Sequence, residues 1–469
     1  MKTKPKTTYQ KYRTFILPKE MVDLLLVTSN QSPLNSENRK AEVTIGLSII
    51  NEIITKSSMF NRDEDYPFHC IPMHSKYLKL KYGDDYSPYL KWLVIHSVLW
   101  KDFYHKGYSN HYYLQSIPTC VSLIKSKLMD LEEDINSIIT TYCVLSSTNI
   151  TLEIHGITDS NADAKDGIFY DWYRIQIPID KENKRYLTTD YEKDSKYINN
   201  SAKHLKKMGS YFRNIDIDYE AAINHTRNRF SEQVLNAINE DYKYKAHREY
   251  SSRIATIHQF VNGRMNKTLR FHRNSTNNRL DTNLTNMASD LRPFIVGFKD
   301  MVNLDLVNSQ PVLFNVMLRS YRKNASDEEL KELDLYLEST TSGNWYETIM
   351  EIYGIDRAKA KKIWMELAYS KNSSYKSEKN IFKKEFPFIY KIIEDKKEKY
   401  HAAFSVELQK IESKVFIDKI CKDLVGEGII PLTLHDGLLV PKKDMERTKE
   451  IMLSNLVKVI GREPQINVE

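Results

Sequence analysis

The sequence predicts an α+β protein, mostly helical, with a small antiparallel sheet in its C-terminal half. Two observations carry that expectation. Two short apolar runs each end in an aspartate, one from Pro431 through Leu434 to His435, Asp436 and Gly437, the other from Met301 to Asp305. Gly437 permits a tight backbone, and Leu438, Leu439 and Val440 lead out of the turn with strand-like composition. The rest of this half repeats its apolar residues at helical spacing. An aspartate in such a turn fits a plain surface hairpin. Two of them, at the ends of two short strands, also fit a site where carboxylates share a pair of divalent cations. Magnesium takes carboxylate and phosphate oxygens, and metals about 4 Å apart stabilise the attacking and leaving oxygens of phosphoryl transfer.

The chain has 469 residues, room for roughly two or three domains. At 41% apolar it can bury a sizeable core. A net charge of +7, with 30 Tyr against 14 Gly, suits a nucleic-acid partner without selecting one. Cys70, Cys120, Cys143 and Cys421 are scattered with no CxxC pair, which argues against a zinc site or a disulfide framework. The basic stretch from Met1 to Lys6 has no apolar run behind it, and nothing approaches the roughly 18 apolar residues of a membrane span. A soluble protein of a reducing cytoplasm, with no membrane partner, is expected.

Residues 1–40 read as polar and basic. Residues 41–60 read as an amphipathic helix on Val43, Ile45, Leu47, Ile49, Ile50, Ile53 and Ile54. From 86 to 99 the apolar positions 89, 90, 93, 94 and 98 share a helical face, and 101–114 reads as two short strands around a basic turn at Gly107. Helix, helix and basic hairpin resemble a winged-helix module, which contacts DNA phosphates. They also fit a small helical domain with a surface hairpin. Residues 119–145 read as helix, and Thr151–Ile154 and Tyr173–Ile177 as strands. Residues 191–260 read as long charged helices, with Lys203, Lys206, Lys207 and Arg213 forming a solvated face or a grip on a duplex backbone.

From about 260 the character changes. A segment opening at Asn262, Gly263 and Arg264 and running through Arg279, Asn283 and Asn286 to Arg292 is rich in donors for phosphates and bases, and reads as a long loop. After Asp305 come a buried helix (Val312–Tyr321), an acidic exposed stretch (325–340) and a helix over 344–354 stopped by Gly354. In the next helix Arg357, Lys361, Met365 and Tyr369 recur every fourth residue and share one face. Two cations, a soft side chain and a ring make a ladder for a nucleoside triphosphate. They are also what an ordinary amphipathic helix with outstretched cations presents. Pro387 breaks the chain, and helices near 388–400 and 407–420 lead to the Asp436 turn. A helix over 444–456 and a strand over 465–468 close the sequence.

Arg279 and Asn286, then Asp305, then Arg357, Lys361 and Tyr369, then Gln409, then His435 and Asp436 resemble, in that order, the palm and fingers of family A DNA polymerases. The related single-subunit phage RNA polymerases share the arrangement. The resemblance covers about residues 260–469 and implies a right-hand catalytic domain (palm, fingers, thumb). Ahead of it would stand a DNA-binding module over 1–118 and an α/β linker with thumb-like helices over 119–259. It implies that Asp305 and Asp436 are the catalytic carboxylates and hold a pair of Mg2+ ions, with Mn2+ as a substitute. Arg357, Lys361, Met365, Tyr369 and Gln310 would bind the incoming nucleotide, a dNTP or an NTP. Arg279, Asn283, Asn286, Arg292, Gln409 and His435 would hold the DNA primer–template. The expected protein is a DNA polymerase of a phage or mobile element, working in a bacterial host cytoplasm.

Three departures bear on this. Family A DNA polymerases carry Glu where Gly437 stands, and Phe or Tyr where Met365 stands; the latter is closer to the RNA polymerases. Five residues past the first aspartate the DNA enzymes have a Glu that blocks a ribose 2′-hydroxyl, and the RNA enzymes a Gly; Gln310, large and polar, points to exclusion of ribose. An RNA polymerase or primase therefore stays open, as does a non-catalytic DNA-binding replication factor on a degenerate scaffold. Asp159, Asp163 and Asp166 read as a polar loop, so no proofreading is expected.

Overall fold

The structure is a computed structural model that describes residues 12–30, 43–54, 71–73, 75–83, 86–101, 110–114, 117–131, 134–135, 138, 151–155, 172–179, 202–265, 269–434 and 436–469. The chain divides into two units. One comprises Met1–Lys193, Asp216–Leu269 and Met287–Phe294, the other Asp194–Ile215, Arg270–Asn286 and Ile295–Glu469.

In the first unit, strand Trp172–Pro178 runs between Tyr12–Pro18 and Thr151–His155, antiparallel to both. The two later strands stand where expected. The first overturns the reading of residues 1–40 as merely polar and basic: Phe15 and Leu17 are buried, as is most of helix Lys19–Asn30. Phe15, Ile16 and Leu17 form a continuous buried run, and an average over residues 1–40 dilutes it with the polar segments on either side. Residues 43–54 form a helix buried almost all round. Strand Ile71–Met73, helices Ser75–Tyr82 and Tyr86–Ile95, and strands Leu99–Lys101 and Asn110–Leu114 follow, with Asn110–Leu114 central in a three-stranded antiparallel sheet. The turn at Gly107 lies outside the described residues. Buried Glu52 accepts hydrogen bonds from Tyr82 (3.1 Å) and Lys81, which supply the pairing that a buried carboxylate requires.

Helices Tyr219–Leu235 and Glu240–Met265 pack together in this unit. Phe230 against Tyr250 joins them (ring centroids 4.9 Å apart), and Arg253 reaches Asp290 at 2.8 Å. The second helix runs through Asn262, Gly263 and Arg264, where the sequence reads as the start of a loop. Among the described residues no helix is long and apolar enough to cross a membrane.

The second unit is built on a four-stranded antiparallel sheet in the order Leu432–Leu434, Gly437–Pro441, Met301–Leu306, Ile466–Val468. Its helical core is aromatic: Trp345 meets Trp364 edge-on at 5.4 Å and Tyr336 at 4.6 Å, with Phe382 and Phe386 alongside. Tyr336 belongs to helix Asp327–Thr341, so the stretch read as exposed is amphipathic, capped by reciprocal bonds between Ser326 and Glu329. The second half of the expected long loop is also ordered. Strands Phe271–Arg273 and Leu280–Thr282 pair as a hairpin. Asn274 accepts at its side chain from the Thr276 amide (2.8 Å) and Asn277 from the Arg279 amide (3.0 Å). Asn and Thr, which read as an absence of structure, are here the side chains that satisfy a tight turn.

Candidate active site

Strand Met301–Leu306 alternates, with Val302, Leu304 and Leu306 buried and Met301, Asn303 and Asp305 on the opposite face. Gly437 lies opposite Asp305 in the ladder, with Asn467 opposite on the other side. Asp436 directly precedes Gly437, so the register brings the two carboxylates together. The Asp305 carboxyl is pushed up to about 6, first by burial, then by the negative charges of Asp436 and Glu469, with Lys361 pulling it down. Such a site favours a proton or a cation between the carboxylates. Among the described residues no group of three or more His, Cys, Asp or Glu is placed to hold a metal ion. Two carboxylates with open positions are still a donor set that magnesium accepts, because it keeps waters and substrate phosphates as its other ligands.

Gly437 has a steric reason to be glycine. A Cβ there would stand 2.9 Å from Asn303 Oδ1 and 3.2 Å from Asp305 Oδ1. The Asn303 amide can swing away, but Asp305 would have to yield a few tenths of an ångström. Gly437→Ala is therefore expected to fold normally and to lower the turnover of any reaction run on Asp305 by roughly tenfold to a hundredfold, the scale of a small misplacement. Thermal melting together with steady-state rates checks this; an unchanged rate would show that Asp305 has room to spare.

Helix Arg357–Tyr369 begins at Asp356, whose side chain accepts from the Lys359 amide at 2.9 Å. It buries Ala360, Trp364, Leu367 and Ala368, and this buried face turns Arg357, Lys361 and Met365 outward. Lys361 is exposed and makes no ion pair among the described residues, yet its charge reaches Asp305. Arg357 is paired with Glu347 and lies 5.6 Å over the ring of Tyr346. Burial pushes the Tyr346 hydroxyl up to about 12, with Arg357 opposing and Asp436 adding. Tyr346 thus feels both Arg357 and Asp436.

No protein-family model matches the chain, and no curated protein matches it. Among solved structures, the POL domain of Pol1 from M. smegmatis in complex with DNA primer-template and dNTP is similar to it, with a TM-score of 0.39 and 9% identity over 59% of this chain and 71% of that one. A likeness that loose carries no functional argument, so the site speaks through its own residues.

Those residues form a second cluster around Glu412, on helix Ala403–Val415. Its Oε2 accepts from Arg279 Nη2 at 2.5 Å and from Gln310 Nε2 at 2.6 Å, and the Tyr369 hydroxyl donates to Gln310 Oε1 at 3.5 Å. Burial pushes the Glu412 carboxyl up to about 7, with Arg279 pulling down and Asp436 adding to the rise. Asn277 donates to Gln409 at 2.9 Å, and Ser413 donates to the Asn278 carbonyl. One face of this helix therefore clamps the turn that carries Arg279.

Of the residues picked from sequence, Asp305 and Asp436 come together, Lys361 lies within electrostatic reach of Asp305, and Arg279, Gln310 and Tyr369 meet at Glu412. Met365 stands 43% exposed. Asn283 is buried, with its side-chain oxygen accepting from the Arg270 amide at 2.6 Å, and Asn286 is exposed and donates to the Thr282 carbonyl at 3.3 Å. Arg292 belongs to the first unit, and His435 lies outside the described residues. Sequence reasoning missed Glu412 and Tyr346. Glu412 stands three residues after Gln409 on the same helical face, a signal present in the sequence but shared by many solvated glutamates.

Proposed function

We propose that the chain is a template-directed nucleic-acid polymerase that adds nucleotides to a 3′-hydroxyl, with DNA as its product. The observation that carries this reading is the juxtaposition of Asp305 with Asp436, which directly precedes the strand paired with that of Asp305, and the charge of Lys361 reaching Asp305. Asp305 and Asp436 would hold Mg2+, which when bound supplies charge neutralisation at the reacting phosphate and lowers the pKa of the attacking hydroxyl. The chain's own residues do the positioning. Lys361, then Arg357 once it leaves Glu347, bind the triphosphate. The Met365 and Tyr369 side of the helix faces the base, Gln310 faces the sugar, and Arg279 and Gln409 face the primer–template.

In this reading the four-stranded sheet is the palm, the helices from Asp327 to Lys397 are the fingers, and the Tyr219–Leu235 and Glu240–Met265 pair is the thumb. The strand, two helices and two strands over 71–114 act as a winged helix on duplex DNA. Family A membership and a phage or mobile-element origin belong to the same proposal. The test is extension of a labelled primer–template by the full chain with Mg2+, supplied with dNTPs in one arm and NTPs in the other. Extension with dNTPs is expected. Product from NTPs alone would make the chain an RNA polymerase or primase, and no product in either arm, with DNA binding retained, would end the polymerase reading.

A further inference from the structure

The polymerase reading gives no task to the buried Glu412. The Glu412 side chain is 2% exposed, and a carboxylate so buried persists only when fully paired. Its pairing joins three elements. Arg279 comes from the hairpin turn, Gln310 from the first turn of helix Ser309–Tyr321, and Tyr369, through Gln310, from the end of helix Arg357–Tyr369. Because Glu412 Oε2 takes only donors, the Gln310 NH2 must face it, and the Gln310 oxygen is left to Tyr369. Both ends of that carboxamide are thereby engaged.

We propose that Glu412 is a specificity-determining positioning residue: by holding Gln310 and Arg279 on a single oxygen, it makes the Gln310 carboxamide a rigid wall against the 2′-hydroxyl of an incoming ribonucleotide. This rests on the polymerase reading. A free glutamine side chain rotates and can donate to or accept from a ribose hydroxyl, so alone it rejects ribose poorly. Held at both ends, it cannot turn aside or re-aim its remaining N–H and lone pair at the 2′-oxygen, and a polar group buried without a partner is strongly disfavoured. Deoxyribose brings no such group. Arg279, on the same oxygen, is fixed by the same contact, so sugar choice and primer-side positioning depend on one carboxylate.

The experiment is single-nucleotide incorporation by the full chain, with kcat and KM measured separately for a dNTP and the matching rNTP. It compares the wild type, Glu412→Gln, Gln310→Ala and the exchanged pair Gln310→Glu with Glu412→Gln. In Glu412→Gln, loss of a charge-assisted bond is expected to lower dNTP kcat/KM about threefold as Arg279 loosens, and to raise rNTP kcat/KM about threefold, so that discrimination falls about tenfold. Gln310→Ala should lose at least as much, and the exchanged pair, with one carboxylate restored, should recover most of it. Should Glu412→Gln lose its cooperative melt, Glu412→Asp, with the charge one methylene short, reads the same ratio. Equal losses for both sugars would make Glu412 a structural residue and overturn the proposal while leaving the polymerase standing. A wild type that extends with neither nucleotide removes the polymerase reading, and this proposal with it.

Discussion

Asp305→Asn and Asp436→Asn are each expected to reduce nucleotide incorporation by about a thousandfold or more, the scale on which sites lose charge stabilisation of a phosphoryl transition state. Loss of activity alone would also follow from misfolding, so the decisive companion is stability. The Asp305 carboxyl stands at about 6 against an ordinary 3.8, raised first by burial and then by Asp436. A raised carboxyl pKa means that the folded state is penalised for ionising it. The native contribution is intact below the unfolded value and is lost as pH rises through about 6. Without metal at pH near 7.5, Asp305→Asn should therefore melt higher than the wild type. The advantage is about 1 kcal/mol once discounted for partial solvent exposure, and it should fade as pH falls from about 6 to about 4, where the wild-type group is protonated in the folded and the unfolded state alike. Adding Mg2+ should stabilise the wild type and not the variant. A variant that melts lower than the wild type in chelator at neutral pH would show that the two carboxylates do not strain one another.

The parts of this site that could be read from sequence are those fixed by local rules. Strand Met301–Leu306 announces itself because an alternating buried face ends in a carboxylate. Helix Arg357–Tyr369 does so because Arg357, Lys361, Met365 and Tyr369 recur every fourth residue and share one face. What escaped depends on partners far along the chain. Glu412 bonds Arg279 from 133 residues away, and in a local window it is one more charged helix residue. The same holds for the hairpin Phe271–Thr282, whose asparagines look like a loop until the bonds that close its turn are known. Gly437 shows the opposite case. It looks like a defect beside the family pattern, yet the close approach of Asn303 and Asp305 gives a reason why a side chain is excluded there.

Lys361→Ala is expected to reduce kcat/KM for the incoming dNTP by about a hundredfold or more, and Arg357→Ala by only about tenfold. The two cations lie one helical turn apart, so their difference comes from their partners. Lys361 is exposed, makes no ion pair among the described residues and acts electrostatically on Asp305, so its whole charge is available to a triphosphate beside the carboxylates. Removing a donor aimed at developing phosphate charge costs about two to three powers of ten. Arg357 starts from a bond to Glu347 and a place over Tyr346. It must give these up, and an exposed pair of this kind holds about 0–1 kcal/mol, which is subtracted from whatever it gains. Lys361→Arg should recover part of the loss, since the charge remains while the compact ammonium is replaced by a larger planar fork. The measurement is single-nucleotide incorporation over a range of dNTP concentrations, with KM and kcat resolved. A larger loss from Arg357→Ala than from Lys361→Ala would mean that the Glu347 contact is not what the working enzyme contains, and that Arg357 is the main triphosphate ligand.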